Sequence, residues 1–286
     1  MRRLVLAVLA LVAVLAAPAA ADSSALPGVA GEPTTLGGVP CFTIAGPTAL
    51  PIGRPACSGI RPGGVVTTAT QVCTLNFVFR GVDSRGRRST LIGTAGHCVL
   101  PENSERVWAK GHGPAAYDAT GHRFGEFAYA VHKDPKDFAL IRVDGGVPVS
   151  PQMCHFGGPT GIESRIVRGK VIPLHYYGDG VLIGKVYPGF VNVDTLPARS
   201  AVVYGLPDRD HVYATGAITL GDSGAGIITG DGRALGVIVT VGAHSSGFSS
   251  SYVDAGTIGI TRLPPQVRRA ETKLKLDLTL QTAKLL

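Results

Sequence analysis

Short apolar runs separated by turn-forming residues dominate this chain, and they limit the folds that it can adopt. The runs at 73–79, 90–93, 138–143 and 236–241 are rich in β-branched or aromatic residues. Stretches rich in Gly, Asp and Ser separate such runs, which is typical of strands joined by turns. The 39 Gly and 20 Pro residues fit this pattern. Segments with a helical period are nearly absent before residue 264, so the pattern predicts an all-β fold.

The body of the chain divides at a Gly- and Pro-rich break over residues 144–160. We therefore expect a first half at 65–150, a second half at 151–263 and a C-terminal tail at 264–286. Each half has the size of a small β-barrel. Within the tail, residues 265–273 are the best helix candidate. Residues 274–281 alternate polar and apolar side chains, so a strand is equally compatible with them.

The N-terminus has the pattern of an export signal. Arg2 and Arg3 precede an uncharged apolar run at 4–17, and small residues follow at 19–21. This pattern predicts a signal peptide at 1–21 and a secreted or extracytoplasmic product. A retained membrane anchor is the alternative, but a spanning helix needs about 20 apolar residues. Residues 22–64 are rich in Pro, Gly, Ala and Thr, and we interpret them as an N-terminal extension or a short pro-segment.

Charge and motif content exclude several classes of function. The net charge of +7 is spread along the chain without a Lys/Arg block, which does not indicate a nucleic-acid partner. The sequence has no His-Glu-x-x-His, Cys-x-x-Cys or phosphate-binding loop, so no metal site and no cofactor are predicted. Five cysteines in an exported chain predict disulfides and leave one cysteine without a partner in the chain.

His97 is the first candidate for chemistry, because it follows a short strand candidate and directly precedes Cys98. A general base must be held at the end of a rigid element so that its imidazole can accept the proton of a nucleophile. A disulfide from Cys98 would fix this backbone, and Cys73, on an earlier strand candidate, is the natural partner. Taken alone, a His beside a Cys is more often structural.

Ser223 is the second candidate and lies in Gly221-Asp222-Ser223-Gly224. The glycines allow the backbone to turn tightly and a substrate to approach closely. The amides of Gly221 and Ser223 would then point together at a developing oxyanion. An ordinary hairpin turn is the alternative interpretation of this tetrapeptide.

Asp137 is the third candidate, because it opens the apolar run 137–141. A carboxylate at the start of a buried strand needs a hydrogen bond or an ionic partner, which an imidazole would provide. An Asp that caps a turn is the alternative. The nearby Asp134 and Asp144 each lie beside Pro or Gly in a predicted loop.

Together, the motifs around His97, Asp137 and Ser223 resemble those of chymotrypsin-like serine proteases, which carry them in the order His, Asp, Ser. Residues 238–242 resemble the strand of that family that binds substrate backbone, and 259–263 resemble its last strand before the C-terminal helix. The resemblance covers roughly residues 65–275. It is nearest to bacterial secreted enzymes of the streptogrisin and α-lytic type, whose Cys-x-x-Gly-x-x-Thr-Gly segment is similar to residues 154–161.

The resemblance implies two packed six-stranded antiparallel β-barrels with a short C-terminal helix. It implies a serine endopeptidase in which His97, Asp137 and Ser223 form the triad, the amides of Gly221 and Ser223 form the oxyanion hole, and an acyl-enzyme is the intermediate. No cofactor is implied, the partner is a protein or peptide substrate, and a monomer without stable membrane insertion is expected. The acid before the nucleophile, Asp222, would be buried and would need an internal donor, either His155 or a nearby Arg.

The substrate pocket follows from the same alignment. Ala217 matches the residue at the floor of the pocket, Gly242 a glycine in its wall, and Thr240 a position where Ser is usual. Ala225 also departs from the family, because it stands where a second Gly is expected. No second Cys follows Cys154, which is therefore free or paired with Cys41 or Cys57. The alternative function is a secreted binding protein on this fold with little or no catalytic turnover.

Overall fold

The structure is a computed structural model. It describes residues 33–36, 39–42, 60–165, 172–178, 198–204, 209–216, 218–219, 221–241, 253–254 and 257–286. The predicted signal peptide and most of the predicted extension lie outside these residues. None of the helices in the described part is long and apolar enough to cross a membrane.

The described part of the N-terminal extension contains a small hairpin, formed by β1 (Pro33–Leu36) and β2 (Val39–Phe42), and the buried segment 60–64. The first half of the body then supplies eight strands, which are β3 (Val65–Thr67), β4 (Val72–Thr74), β5 (Val78–Asp83), β6 (Arg88–Thr94), β7 (Ser104–Val107), β8 (Ala115–Tyr117), β9 (Arg123–Lys133) and β10 (Lys136–Val143). They form one curled sheet in the order β5-β6-β10-β9-β8-β3-β4, with β7 also pairing with β9. Apolar side chains from its inner face, including Leu75, Ile92, Phe127 and Ile141, form a core inside the curl.

The second half supplies nine strands, which are β11 (Gly161–Ile162), β12 (Pro173–Tyr177), β13 (Ala198–Tyr204), β14 (His211–Gly216), β15 (Ile218–Thr219), β16 (Gly226–Thr229), β17 (Arg233–Val241), β18 (Val253–Asp254) and β19 (Thr257–Arg262). The order β17-β16-β12-β13-β14-β19 closes on itself because β19 also pairs with β17. Leu174, Ile227, Ile238 and Ile260 belong to the buried core of this barrel. Closure leaves no free edge among these six strands.

The C-terminal tail contains one helix and one strand. The helix α1 (Leu263–Leu274) buries Leu263, Val267 and Ala270, and it ends at Lys275, whose φ of 56° lies in the left-handed region. The strand β20 (Leu276–Leu280) follows at once and pairs antiparallel with β5. The tail therefore connects the two halves, since it leaves the second sheet and returns to the edge of the first.

The predicted fold class is confirmed, because the described chain is mostly β, forms two barrel-like halves and has a short C-terminal helix. The first half differs in detail from the expected six-stranded barrel. Its sheet has nine strands, and its outer strands, β20 and β4, do not pair. The tail strand occupies the edge of β5 and hides the backbone groups through which that edge would otherwise close. The structure does not test the expected boundary at residue 150.

Candidate active site

His97 lies in a tight turn that is fixed by the preceding strand, by a disulfide and by a close contact with β9. Strand β6 ends at Thr94, and a single 3-10 turn at Gly96–Cys98 follows. A disulfide joins Cys98 to Cys73, as the sequence predicted. A side chain at Gly96 would collide with the carbonyl oxygen of Val131 on β9, so only glycine allows this turn to lie so close to the sheet. The short turn, the disulfide and the close contact with β9 therefore fix the backbone that carries the His97 imidazole.

Asp137 holds His97 by two hydrogen bonds. The Nδ1 of His97 lies 2.6 Å from the Oδ2 of Asp137, and the backbone N–H of His97 donates to Oδ1 over 3.0 Å. Because a carboxylate only accepts, Nδ1 carries the proton, and Nε2 of the neutral ring is left as a proton acceptor. The two side chains are only 20% and 13% exposed, so water competes little for this contact.

Ser223 lies in a loop that three hydrogen bonds attach to the first sheet. The hydroxyl of Thr74 donates to Gly221 O over 2.7 Å, and the amide of Thr74 donates to Ser223 O over 2.8 Å. The side-chain amide of Asn76 donates to Gly224 O over 3.1 Å. Both donors are buried on the segment from β4 to β5. Local sequence patterns do not point to Thr74 or Asn76, because their partners lie about 150 positions further along the chain.

Gly224 brings the serine loop against the histidine turn. Its φ of 91° favours glycine, and a side chain there would collide with the Thr94 hydroxyl and would lie 2.8 Å from the amide of Ala95. The Thr94 hydroxyl in turn donates to Thr74 O over 2.9 Å. The structure therefore brings together the loop of Ser223, the turn of His97 and the carboxylate of Asp137 at the junction of the two sheets.

Arg199 is the internal donor to Asp222. Its Nη1 lies 2.7 Å from Oδ2 and its Nη2 lies 2.5 Å from Oδ1, so the guanidinium grips the carboxylate with both nitrogens. Asp222 is fully buried, and the Arg199 guanidinium also lies over the ring of Tyr176, 5.1 Å from its centre. Burial raises the pKa of the Tyr176 phenol, so the ring beside this ion pair stays neutral. Of the two predicted donors, the Arg is the one found.

His155 lies against a different cluster. Its ring packs edge-on against Phe156, with 4.7 Å between the ring centres, and Phe156 stacks on His175 at 5.0 Å. Burial lowers the pKa of His155, and the charge of His175 lowers it further. The surroundings of His155 therefore disfavour its charged form, which makes it a poor partner for a carboxylate.

His132 is a neighbour of the site for which the sequence offers no local motif. Its ring lies edge-on to His97 with 5.8 Å between centres, and its Nδ1 lies 3.1 Å from Leu100 O. His132 on β9 is directly opposite Asp137 on β10. Residues 132 and 137 flank a four-residue turn, so a hairpin prediction at 133–136 would have found this neighbour.

The expected substrate pocket is only partly described. Ala217 and Gly242 lie outside the described residues. Thr240 lies on β17 opposite Gly259, and the structure does not describe its side chain. Cys154 is disulfide-bonded, which removes the possibility of a free thiol there.

One cluster with metal-ligand residue types occurs in the described part of the chain. Its ligand atoms, from Cys73, His97 and Cys98, lie within 4.8 Å of one another. Metals bind thiolates, and both sulfurs here are used in the disulfide. The group therefore does not form a metal site.

No protein-family model and no curated protein matches the chain. Solved structures that are similar to it include protease A of Thermobifida fusca, with 16% identity, a TM-score of 0.48, and coverage of 78% of this chain and 99% of that one. A glutamic acid-specific serine protease that uses a histidine triad in substrate binding has 17% identity, a TM-score of 0.46, and coverage of 79% and 100%. A human astrovirus serine protease has 18% identity, a TM-score of 0.40, and coverage of 72% and 93%. All three are described as proteases.

Proposed function

We propose that the chain is an exported serine endopeptidase that cleaves peptide bonds with Ser223, His97 and Asp137. The observation that carries the proposal is the double hydrogen bond between Asp137 and His97, next to the loop of a partly exposed Ser223. A carboxylate that fixes an imidazole with Nδ1 protonated is what general-base activation of a hydroxyl requires.

In this mechanism the Nε2 of His97 takes the proton of the Ser223 hydroxyl as the oxygen attacks the substrate carbonyl. The proton then passes to the leaving amine, and an acyl-enzyme remains on Ser223. Water then attacks the acyl-enzyme, again with His97 as the general base, and the carboxylic acid product leaves Ser223. Asp137 keeps the tautomer and stabilises the imidazolium that forms in each half of the reaction.

The oxyanion that forms needs donors that are not otherwise engaged. Among the described residues, the amides of Gly221 and Ser223 donate to no protein acceptor. Gly221 has a φ of 97°, which favours glycine, and the buried ion pair of Asp222 with Arg199 fixes the backbone of this loop. These features support an oxyanion hole at the two amides. In comparable enzymes, the loss of one oxyanion-hole donor costs about 3–4 kcal/mol of transition-state stabilisation.

Export is the second part of the proposal. The charged and apolar pattern of residues 1–21 supports a signal peptide, and the Cys73–Cys98 disulfide supports an oxidising compartment. Intact mass and N-terminal sequencing of the protein from the medium test this part. A mature chain that begins near Asp22 agrees with it, and a protein that keeps Met1 contradicts it.

The catalytic proposal is tested with a serine-directed phosphonate and a peptide substrate. We expect labelling of Ser223 in the wild type and none in Ser223→Ala. The variant should also lose activity on the order of a million-fold, as in an enzyme with the same triad. Ser84→Ala, in an exposed turn, is the matched control and should keep both properties. If more than a few per cent of the activity remains in Ser223→Ala, the assignment is wrong. A folded wild type that neither reacts nor cleaves would contradict the peptidase proposal and favour the alternative of a binding protein.

A further inference from the structure

A cationic cavity lies beside the start of helix α1, separate from the serine loop. It has a volume of about 260 Å³ and is lined by three parts of the chain. Lys136 comes from the start of β10, Arg209 and Asp210 come from the segment before β14, and Gln266, Arg268 and Arg269 come from the helix. The amide of Arg262 donates to Asp210 O over 2.8 Å, which holds the second of these parts against the start of the helix.

The lining carries four cations and one acid, and only part of this charge is neutralised. The Nε of Arg209 lies 3.5 Å from the Oδ2 of Asp210, and the Nε of Arg269 donates to the Oε1 of Glu105 over 2.8 Å. In the part of the chain that the structure describes, no carboxylate lies within 4.0 Å of Lys136 or Arg268. The unpaired charges of Lys136 and Arg268 line the same cavity as two further guanidinium groups, so the cavity attracts anions.

The helix adds to the positive potential. Its first turn contains no acidic side chain, and no side chain caps it. The N-terminus of a helix carries about half a positive charge, which favours an anion close to it. Pro265 and Gln266, in this first turn, both line the cavity.

Gln266 gives a second, independent indication of a missing partner. The residue is 1% exposed, its Nε2 donates to Thr261 Oγ1 over 2.9 Å, and its Oε1 has no partner among the described residues. If the amide is turned over, the Thr261 hydroxyl donates to Oε1 instead of to Pro135 O, which it now reaches over 3.4 Å, and the NH₂ group becomes a donor without a partner. This buried group lies at the wall of the cavity and would then lack an acceptor.

We propose that this cavity binds a tetrahedral dianion of the phosphate or sulfate type. The cations approach from three elements, and a tetrahedral anion offers acceptor oxygens in all of these directions, whereas a carboxylate offers them in one plane. Arg side chains match such oxygens with two parallel hydrogen bonds. Because Lys136 directly precedes Asp137, the bound anion would join the catalytic strand β10 to the helix and to the second sheet.

The test is a calorimetric titration of the folded protein with inorganic phosphate at constant ionic strength, with chloride as the balancing anion. We expect saturable binding to one site at about 1 mM or tighter. Lys136→Gln and Arg268→Gln should each weaken binding about tenfold, because each removes a charge-assisted hydrogen bond. Arg85→Gln removes an exposed charge from a distant turn and should leave binding unchanged.

Two outcomes would overturn the proposal. The first is phosphate binding that does not saturate by about 10 mM. The second is equal weakening of phosphate binding in Lys136→Gln, Arg268→Gln and Arg85→Gln, which would show general charge screening. Titration with O-phosphoserine distinguishes a free anion from a group on a larger molecule, since only an open site accepts the ester. The measurement involves no peptide cleavage, so its result does not depend on the proposed peptidase activity.

Discussion

The carboxylate of Asp137 binds both the imidazole and the backbone amide of His97, at 2.6 and 3.0 Å. The first contact selects the tautomer, and the second fixes the turn that carries the ring. A change at Asp137 is therefore expected to affect catalysis more than folding, provided that the new side chain still fills the site.

Asp137→Asn should lower kcat by about 10⁴-fold, because an amide can donate to the ring and stabilise the wrong tautomer. The matched control is Asp277→Asn on β20, an exposed acid far from the site, which should keep wild-type kcat. Steady-state kinetics with a peptide substrate measure both. A loss of less than tenfold in a folded Asp137→Asn protein would contradict the role that we give to Asp137.

Arg199→Met should destabilise the fold by about 3–5 kcal/mol, because it leaves the carboxylate of Asp222 buried without its cation. The free energy of unfolding in urea measures this loss. Arg88→Met removes an exposed charge and should change it by less than about 0.5 kcal/mol. If Arg199→Met is as stable as the control, the ion pair does not hold the serine loop.

The same ion pair predicts how activity depends on the N-terminal extension. Asp222 already has its cation within the fold, so no new ammonium terminus is needed to shape the oxyanion loop. A protein that keeps residues 22–64 should therefore react with the phosphonate as fast as one trimmed to the body. A large increase in the labelling rate on trimming would show that the extension inhibits the enzyme.

Stability should fall in mild acid because of His155. Its pKa is lowered in the folded state, so the unfolded chain binds a proton first as the pH falls through about 6.5, and stability is lost from that pH downward. His155→Asn should reduce the difference between the urea midpoints at pH 7.5 and 5.5. Asn also tolerates the φ of 69° at this position. His112→Asn, at an exposed site, should leave the difference unchanged, and equal effects of the two variants would exclude His155 as the cause.

Local motifs explain why much of the fold and the site could be predicted. The alternation and turn residues of the body are short-range signals, and so are the residues that flank His97 and Ser223. The tail shows the limit of such signals, because residues 276–280 form a strand only by pairing with β5, almost 200 positions earlier. The alternation of polar and apolar residues at 276–280 does not by itself indicate which strand this segment pairs with.

The residues that were missed act across long distances in sequence. Thr74 at the end of β4 and Asn76 just after it hold the serine loop from the opposite half, and no local sequence feature of a Thr or an Asn indicates such a role. The sequence alone predicts only that an Arg near Asp222 is one candidate donor. Which Arg it is depends on how β13 lies beside the serine loop. His132 is the exception, because hairpin geometry alone would have placed it opposite Asp137.

Substrate preference is the last prediction, and it depends on the alignment of residues 217 and 240–242 by resemblance. We expect a neutral pocket that accepts a medium or large apolar side chain before the cut, because a buried Lys or Arg facing Ala217 would lose its hydration without gaining a partner. An error of one position would bring Gly216 or Ile218 to the floor, and neither is charged, so the neutral character is robust to it. A peptide library varied only at this position tests the prediction. Preference for Leu, Met, Phe or Tyr agrees with it, and cleavage dominated by Lys or Arg, or by Glu, would require a charged pocket and contradict it.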